Sequence, residues 1–357
     1  MKTGTFTLTF ATPAFLGDAE QNGVWRTPPI KALLRQWWRV AYAAQRNFQV
    51  DVSAMRREEA LLFGHAWLEN DHDEAGNRVA ARRSKVRLRL DRWDEGRLKR
   101  TQWQAETPIL HPEVHRNVDA FLYMGYGPVT LPRGEHVATL KKNAAIQANE
   151  STRLSMAWPD EADALMQKAL WLMDRYGTLG GRSRNGWGSF SLRAEGDAPL
   201  AGTLPLRNWT ECLDRDWPHA LGEDENGALI WQTAPQADWK KAMVELAKIK
   251  IGLRTQQFAF TTGKNAPRTE ERHWLSYPVT NHSVAAWGNN LRLPNSLRFK
   301  VRPAEKGQVV GVIFHVPCLP PGVFYPNRGV IENVWQQVHQ FLDTPPNGLP
   351  RIQRSVS

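Results

Sequence analysis

The feature that most restricts the fold of this chain is a succession of hydrophobic periodicities across residues 5–192. Thr5 to Phe10 alternates polar and apolar residues, the two-residue period of a half-buried strand. From Ile30 to Gln45 the period lengthens to that of a helix, with Ile30, Leu33, Leu34, Trp37, Ala41 and Ala44 on one apolar stripe. Thr27 stands where a cap is needed, and Pro28 suits the first turn. A short helix is expected over residues 56–69. Val86, Leu88 and Leu90 then alternate with Lys85, Arg87 and Arg89, which makes one face of a strand greasy and the other cationic. Strands at 144–148 and 153–157, a helix at 160–176 and a strand at 189–192 follow. Strand, helix, strand, strand, helix, strand is the order of a split βαβ, ferredoxin-like (RRM-like) unit.

Residues 91–143 interrupt this order. Pro108, Pro112, Gly125, Gly127, Pro128, Pro132 and Gly134 mark them as a long insertion carrying one or two short helices. Stretches this long without periodicity are more often functional or partner-binding than idle. Beyond residue 200 a second lobe of mixed type is expected. It has strands at 229–233, 272–281, 297–302 and 309–317, and helices at 237–250 and 331–342. Glycine and proline cluster at 196–205, so the chain divides into 1–198 and 199–357, an α+β protein of two lobes.

Composition narrows the function. With 41% hydrophobic and 23% charged residues the chain is not mainly disordered. No apolar run is long enough to span a membrane, and Met1-Lys2-Thr3-Gly4 leads into a strand pattern without the apolar core of a signal peptide. The two cysteines, Cys212 and Cys318, exclude a disulfide framework and a Cys-rich zinc site. A soluble, cytoplasmic protein is therefore expected. Lys and Arg outnumber Asp and Glu by 46 to 36, and a net charge of +10 favours a polyanionic partner. The sixteen tryptophans and thirteen phenylalanines are core material for the most part. No Gly-x-Ser-x-Gly, P-loop or dinucleotide fingerprint occurs.

Topology adds a spatial expectation. In a ferredoxin-like sheet the first and last strands are antiparallel neighbours, so residues 17–27 and the start of the first helix lie beside the Gly-rich loop 180–188. Gly180, Gly181, Gly186 and Gly188 let backbone approach a sugar-phosphate chain, Arg182 and Arg184 offer paired donors, and a helix start offers free amides. The candidate RNA contacts are therefore Gly180, Gly181, Arg182 and Arg184, the helix cations Lys31, Arg35 and Arg39, and the strand cations Lys85, Arg87 and Arg89. The bland alternative is a tight turn flanked by solvated charged faces. His111 and His115 are the best local histidine pair, but Pro112 between them argues against a helix that would align them. His65 reads as structural.

Four segments carry a family resemblance: Leu8-Thr9-Phe10-Ala11-Thr12-Pro13-Ala14-Phe15-Leu16-Gly17, residues 26–39, Leu62-Phe63-Gly64, and Gly180-Gly181-Arg182-Ser183-Arg184-Asn185-Gly186-Trp187-Gly188. Together they resemble the RAMP superfamily, the RNA-binding subunits of CRISPR effector complexes, although Ala32 stands where the family commonly has glycine. The double tryptophan Trp37-Trp38 and the Gly-Gly-Arg-Ser-Arg loop are most similar to the first subunit of the type III-B (Cmr) complex. A fainter match, residues 273–279, resembles a Ser-Pro element interrupted by Tyr277. The resemblance implies two ferredoxin-like lobes, no cofactor and no catalytic activity. It further implies crRNA and target RNA as partners beside other RAMP/Cmr subunits, and a place at the crRNA 3′ region. It also brings Arg26, at the head of a matching segment, into the candidate set. RAMP subunits that cut target RNA use an acid in a loop at the RNA groove, so Asp18, with Glu20 near it, is the alternative: a metal-dependent endoribonuclease. A third reading is a scaffold whose insertion and second lobe bind neighbouring proteins.

Overall fold

The computed structural model describes residues 1–352 apart from 70, 106–107, 143, 197–198 and 346–347. The N-terminal half of the chain runs β1 (Lys2–Phe10), α1 (Thr27–Gln45), α2 (Val52–Phe63), β2 (Arg87–Leu90), β3 (Ser151–Trp158), α3 (Asp163–Tyr176) and β4 (Phe190–Ala194). Its antiparallel sheet has the order β4-β1-β3-β2, the order of the split βαβ unit. The register sets Leu8 between Thr152 and Leu192, and Phe6, Leu8 and Phe10 are buried under α1 and α3. The other face of this sheet is open: Thr3, Thr7, Arg87, Arg89, Arg153 and Arg193 are exposed on it. Strict alternation along β1 records that one-sided burial.

The C-terminal half contributes β5 (Ile230–Gln232), α4 (Trp239–Gly252), β6 (Leu297–Pro303), β7 (Val309–His315) and α5 (Arg328–Asp343). Its three strands pair antiparallel in the order β5-β7-β6. On the free side of β5, Trp231 bridges antiparallel to Arg351, and the Ile352 amide donates to the Ile230 carbonyl at 2.9 Å. A few residues after α5 thus fill the place of a fourth strand. Both faces of this sheet are covered. Val310, Val312 and Phe314 join the core built by α1 and α3, with Phe314 5.1 Å from the Tyr176 ring and 6.5 Å from Trp37. Phe299, Val301 and Ile313 face α4 and α5. Sheet, helices, sheet, helices is the layering, and it explains why β7 reads as a nearly continuous apolar run.

The insertion folds as a hairpin (Pro108–His111 with Arg116–Asp119), a short helix (Ala120–Gly125) and two minimal strand pairs. It is tied to both halves of the chain through Trp187, whose ring lies 5.2 Å from Phe15, 5.5 Å from Phe121, 5.9 Å from Trp103 and 6.0 Å from Trp239.

Three expectations change. The strand at 144–148 shrinks to the pair Ala144–Ala145. Thr27 is the first helical residue rather than the cap; Arg26 occupies the cap position and makes no side-chain cap bond. Residues 272–281 form no strand. The carboxylate of Glu270 accepts from the amides of Thr261 and Thr262 (2.7 and 3.0 Å), its own amide donates to His273 Nδ1 (2.9 Å), and a 3-10 turn, Glu271–Trp274, results. Such side-chain bonds to the main chain compete with ladder pairing. Residues 197 and 198, at the expected lobe boundary, lie outside the described residues.

Candidate nucleic-acid interface

The Gly-rich run is first a joint. Gly180 (φ 93°) and Gly188 (φ 65°) sit in the left-handed region, and a Cβ on them would fall 2.7 Å from the Phe15 carbonyl oxygen and 1.8 Å from that of Leu179. The Gly181 amide donates to Phe15 O (3.0 Å) and the Gly188 amide to Pro13 O (2.8 Å), which fastens the loop to the segment leaving β1. From β6, the Phe299 amide donates to Arg184 O (3.0 Å) and the Val301 amide to Ser189 Oγ (2.8 Å). From the insertion, the Met124 carbonyl accepts the Asn185 side-chain amide (2.8 Å), and the Tyr126 carbonyl accepts Arg182 Nε. Lys250 of α4 donates to Asn185 Oδ1 at 2.7 Å. One loop therefore binds three parts of the molecule together.

On its other side the loop faces α1 across a cleft of about 300 Å³. Pro29, Ala32 and Gln36 form the α1 wall, Gly180, Ser183 and Arg184 the loop wall, and Arg298 of β6 the floor. The amide part of the expected clamp is thin, because Pro28 and Pro29 remove two of the N–H groups a helix start would offer. The cationic part is strong. Neither Arg184 nor Arg298 has an ion pair or side-chain hydrogen bond among the described residues, and Arg298 Nε is buried without a partner. Burial lowers the affinity of both guanidiniums for their protons, and the neighbouring Arg184 adds to the effect on Arg298, which falls to about 10. Cys318, close to both, is pushed up to about 11 by burial and stays a neutral thiol, so it supplies no countercharge. Arg184, exposed on the loop wall, and Arg298, half-buried beneath it, have no acid opposite them among the described residues and leave donors for an anion, most naturally phosphate oxygens.

The other candidates sit elsewhere. Lys31 Nζ donates to the Phe63 carbonyl (2.8 Å), and Arg35 and Arg39 both grip the buried carboxylate of Glu59 at 2.8 and 2.7 Å. Burial, then Arg35, lowers the pKa of Lys31. These three cations face α2, around the helix from Ala32 and Gln36. Arg26 donates to the Gly17 carbonyl and closes the loop before α1. Lys85, just before β2, and Arg87 and Arg89 within it are exposed at the edge of the first sheet, and the fold does not join them to the cleft. Asp18 accepts the Asn22 amide at 2.8 Å, and Glu20 is exposed. The His111 ring packs on Tyr123 (5.6 Å), His115 turns the chain with φ 49°, and His65 Nε2 meets Asp71 at 2.8 Å. Among the described residues no group of three or more His, Cys, Asp or Glu side chains is arranged to hold a metal.

Arg298 is the residue sequence reasoning missed. Its signal is legible: Leu297, Phe299 and Val301 alternate with Arg298, Lys300 and Arg302, the same apolar–cationic alternation as residues 85–90.

Among the described residues no helix is long and apolar enough to cross a membrane. No curated protein matches the sequence. Of solved structures, Cmr1 from Pyrococcus furiosus (apo form) is similar over 95% of this chain and 96% of its own, at 13% identity and a TM-score of 0.41. A chain of the type III-B Cmr-beta complex bound to cognate target RNA is similar over 95% of this chain and 100% of its own, at 11% identity and a TM-score of 0.45. The family profile described as the RAMP superfamily matches residues 7–191, more than half of the chain, from within β1 through the Gly-rich loop to the start of β4: the protein belongs to the RAMP superfamily.

Proposed function

We propose that this chain is a non-catalytic RNA-binding subunit of a type III CRISPR ribonucleoprotein, the counterpart of the first Cmr subunit. On this reading it is cytoplasmic, built of two ferredoxin-like lobes (1–198 and 199–357), and assembled with other RAMP subunits. It holds the crRNA 3′ region or target RNA by seating backbone phosphates between the Gly-rich loop and α1. The carrying observation is the pair Arg184 and Arg298, two guanidiniums without a carboxylate partner facing one cleft. Family membership supports the RNA, and the motif resemblance of residues 26–39 and 180–188 supports the subunit. Arg182 flanks the cleft, and Lys85, Arg87 and Arg89 add a separate exposed cationic edge that contributes long-range attraction. The Asp18 carboxylate closing its own turn supports a binding role over a cutting one.

Photo-crosslinking the protein to single-stranded RNA, followed by mapping of the attached peptides, tests the reading. Attachment at residues 180–188 and 296–300 is expected. Attachment confined to residues 85–89, or Mg²⁺-dependent cleavage of the RNA that disappears in Asp18→Ala, would overturn it.

A further inference from the structure

β6 carries its cations at every second position, and the fold treats each differently. Arg298 floors the cleft described above. Lys300, fully buried, donates to the carbonyls of Asp174 (2.7 Å) and Gly177 (2.6 Å) and so closes the C-terminal end of α3. Arg302 emerges beyond it into a second cleft of about 320 Å³, lined also by Arg175 of α3 and Arg193 of β4. None of these three arginines has an ion pair or side-chain hydrogen bond among the described residues. The acid in the wall, Asp174, has one carboxylate oxygen already accepting the Leu192 amide at 2.7 Å. Burial lowers the pKa of Arg302 and the nearby Arg175 adds to it; Tyr176 beside them is pushed up to about 12 by burial and stays neutral. Three arginines thus line, with a single carboxylate among the described residues, a concave seam between the edge strands of the two sheets.

We propose that Arg175, Arg193 and Arg302 form a second phosphate-binding cleft, which takes the backbone of the same single-stranded RNA a few nucleotides beyond the Gly-rich loop. This inference rests on the RNA-binding reading above. Arg298 and Arg302 are four residues apart on one strand, roughly 13 Å at about 3.3 Å per residue. Phosphate contacts of this kind position a strand without reading its sequence, so the cleft sets how the RNA runs across the seam rather than which bases it carries.

The test compares the salt dependence of binding for a long single-stranded RNA and for a short oligonucleotide, using the full chain, Arg175→Gln/Arg302→Gln and Arg184→Gln/Arg298→Gln. Thermal melting and the charge-keeping Arg175→Lys/Arg302→Lys variant control for folding. Losing two single-strand phosphate contacts lowers the slope of log K against log salt by about 1.4. The Arg175/Arg302 variant should show that loss, with affinity falling about tenfold or more, for the long RNA only, and the lysine variant should keep most of the binding. Long-RNA binding that is unchanged in Arg175→Gln/Arg302→Gln, while Arg184→Gln/Arg298→Gln abolishes it, would sink the second cleft and leave the function standing. Wild-type behaviour in both variants would sink both. Inorganic phosphate competing equally with both RNA lengths would mark the cleft as a free-anion site and overturn the shared path.

Discussion

Arg35 and Arg39 on α1 and Arg184 and Arg298 at the seam are the same residue type with opposite circumstances. In the sequence the α1 set is the more conspicuous, since no acid lies on its face between Lys31 and Arg46. The fold supplies one from 24 and 20 positions away: Glu59 of α2, with its side chain only 4% exposed, between both guanidiniums. At the seam no acid arrives among the described residues. Whether a cation is free to bind an anion depends on what the tertiary structure sets opposite it, and the charge pattern of its own segment does not report that.

The largest expected effect removes the seam and spares α1. Gly188→Ala drives a Cβ into the Leu179 carbonyl at a positive φ and should cost about 3–5 kcal/mol in a denaturant melt. An undiminished melt would mean that the loop is not the joint described. Next, Glu59→Gln leaves Arg35 and Arg39 without their countercharge. A loss of about 1–3 kcal/mol is expected, less than for a fully buried pair because both arginines are over a third exposed. RNA affinity should not fall, and a drop in it would show that α1 serves the RNA after all.

Lys300 sharpens the contrast within β6 itself. Burial brings its pKa down to about 7, below the ordinary lysine value. Between those values the unfolded chain binds more protons than the folded one, so stability rises with pH from about 7 upward, and below 7 the full penalty is present. Melting between pH 7 and 7.8, below the unfolded thiols' range, should show a rise that Lys300→Met flattens by up to about 1.4 kcal/mol per pH unit. Equal slopes would place the ammonium in contact with water. The smallest effect is Arg35→Ala: with Arg39 still on Glu59, about 0.5 kcal/mol is expected from a half-exposed pair. A loss several times larger would mean that the two arginines do not share the acid.

Much of the first sheet and its helices was legible because their burial is one-sided. β1, β3, α1 and α3 each expose a face, and period reveals it. The meeting of the Gly-rich loop with α1 also followed from strand order. What stayed hidden depends on long-range partners. The second sheet, covered on both faces, loses its alternation in β7, and residues 272–281 are set by side-chain caps rather than by β propensity. Arg298 could have been read from its alternation with apolar neighbours, but that it faces the Gly-rich loop required the bridge between Asn185 and Phe299, 114 positions apart by their numbers. The pairing of Arg35 and Arg39 with Glu59 carries no local signal at all.

The central claim is that the unpaired seam arginines, and not the α1 cations, meet the RNA. Measuring single-stranded RNA affinity across a salt series for Arg184→Ala/Arg298→Ala and for Arg35→Ala/Arg39→Ala addresses it directly. The account predicts a slope lower by about 1.4 and a loss of tenfold or more in the seam variant, with the α1 variant close to wild type. The reverse pattern would contradict it.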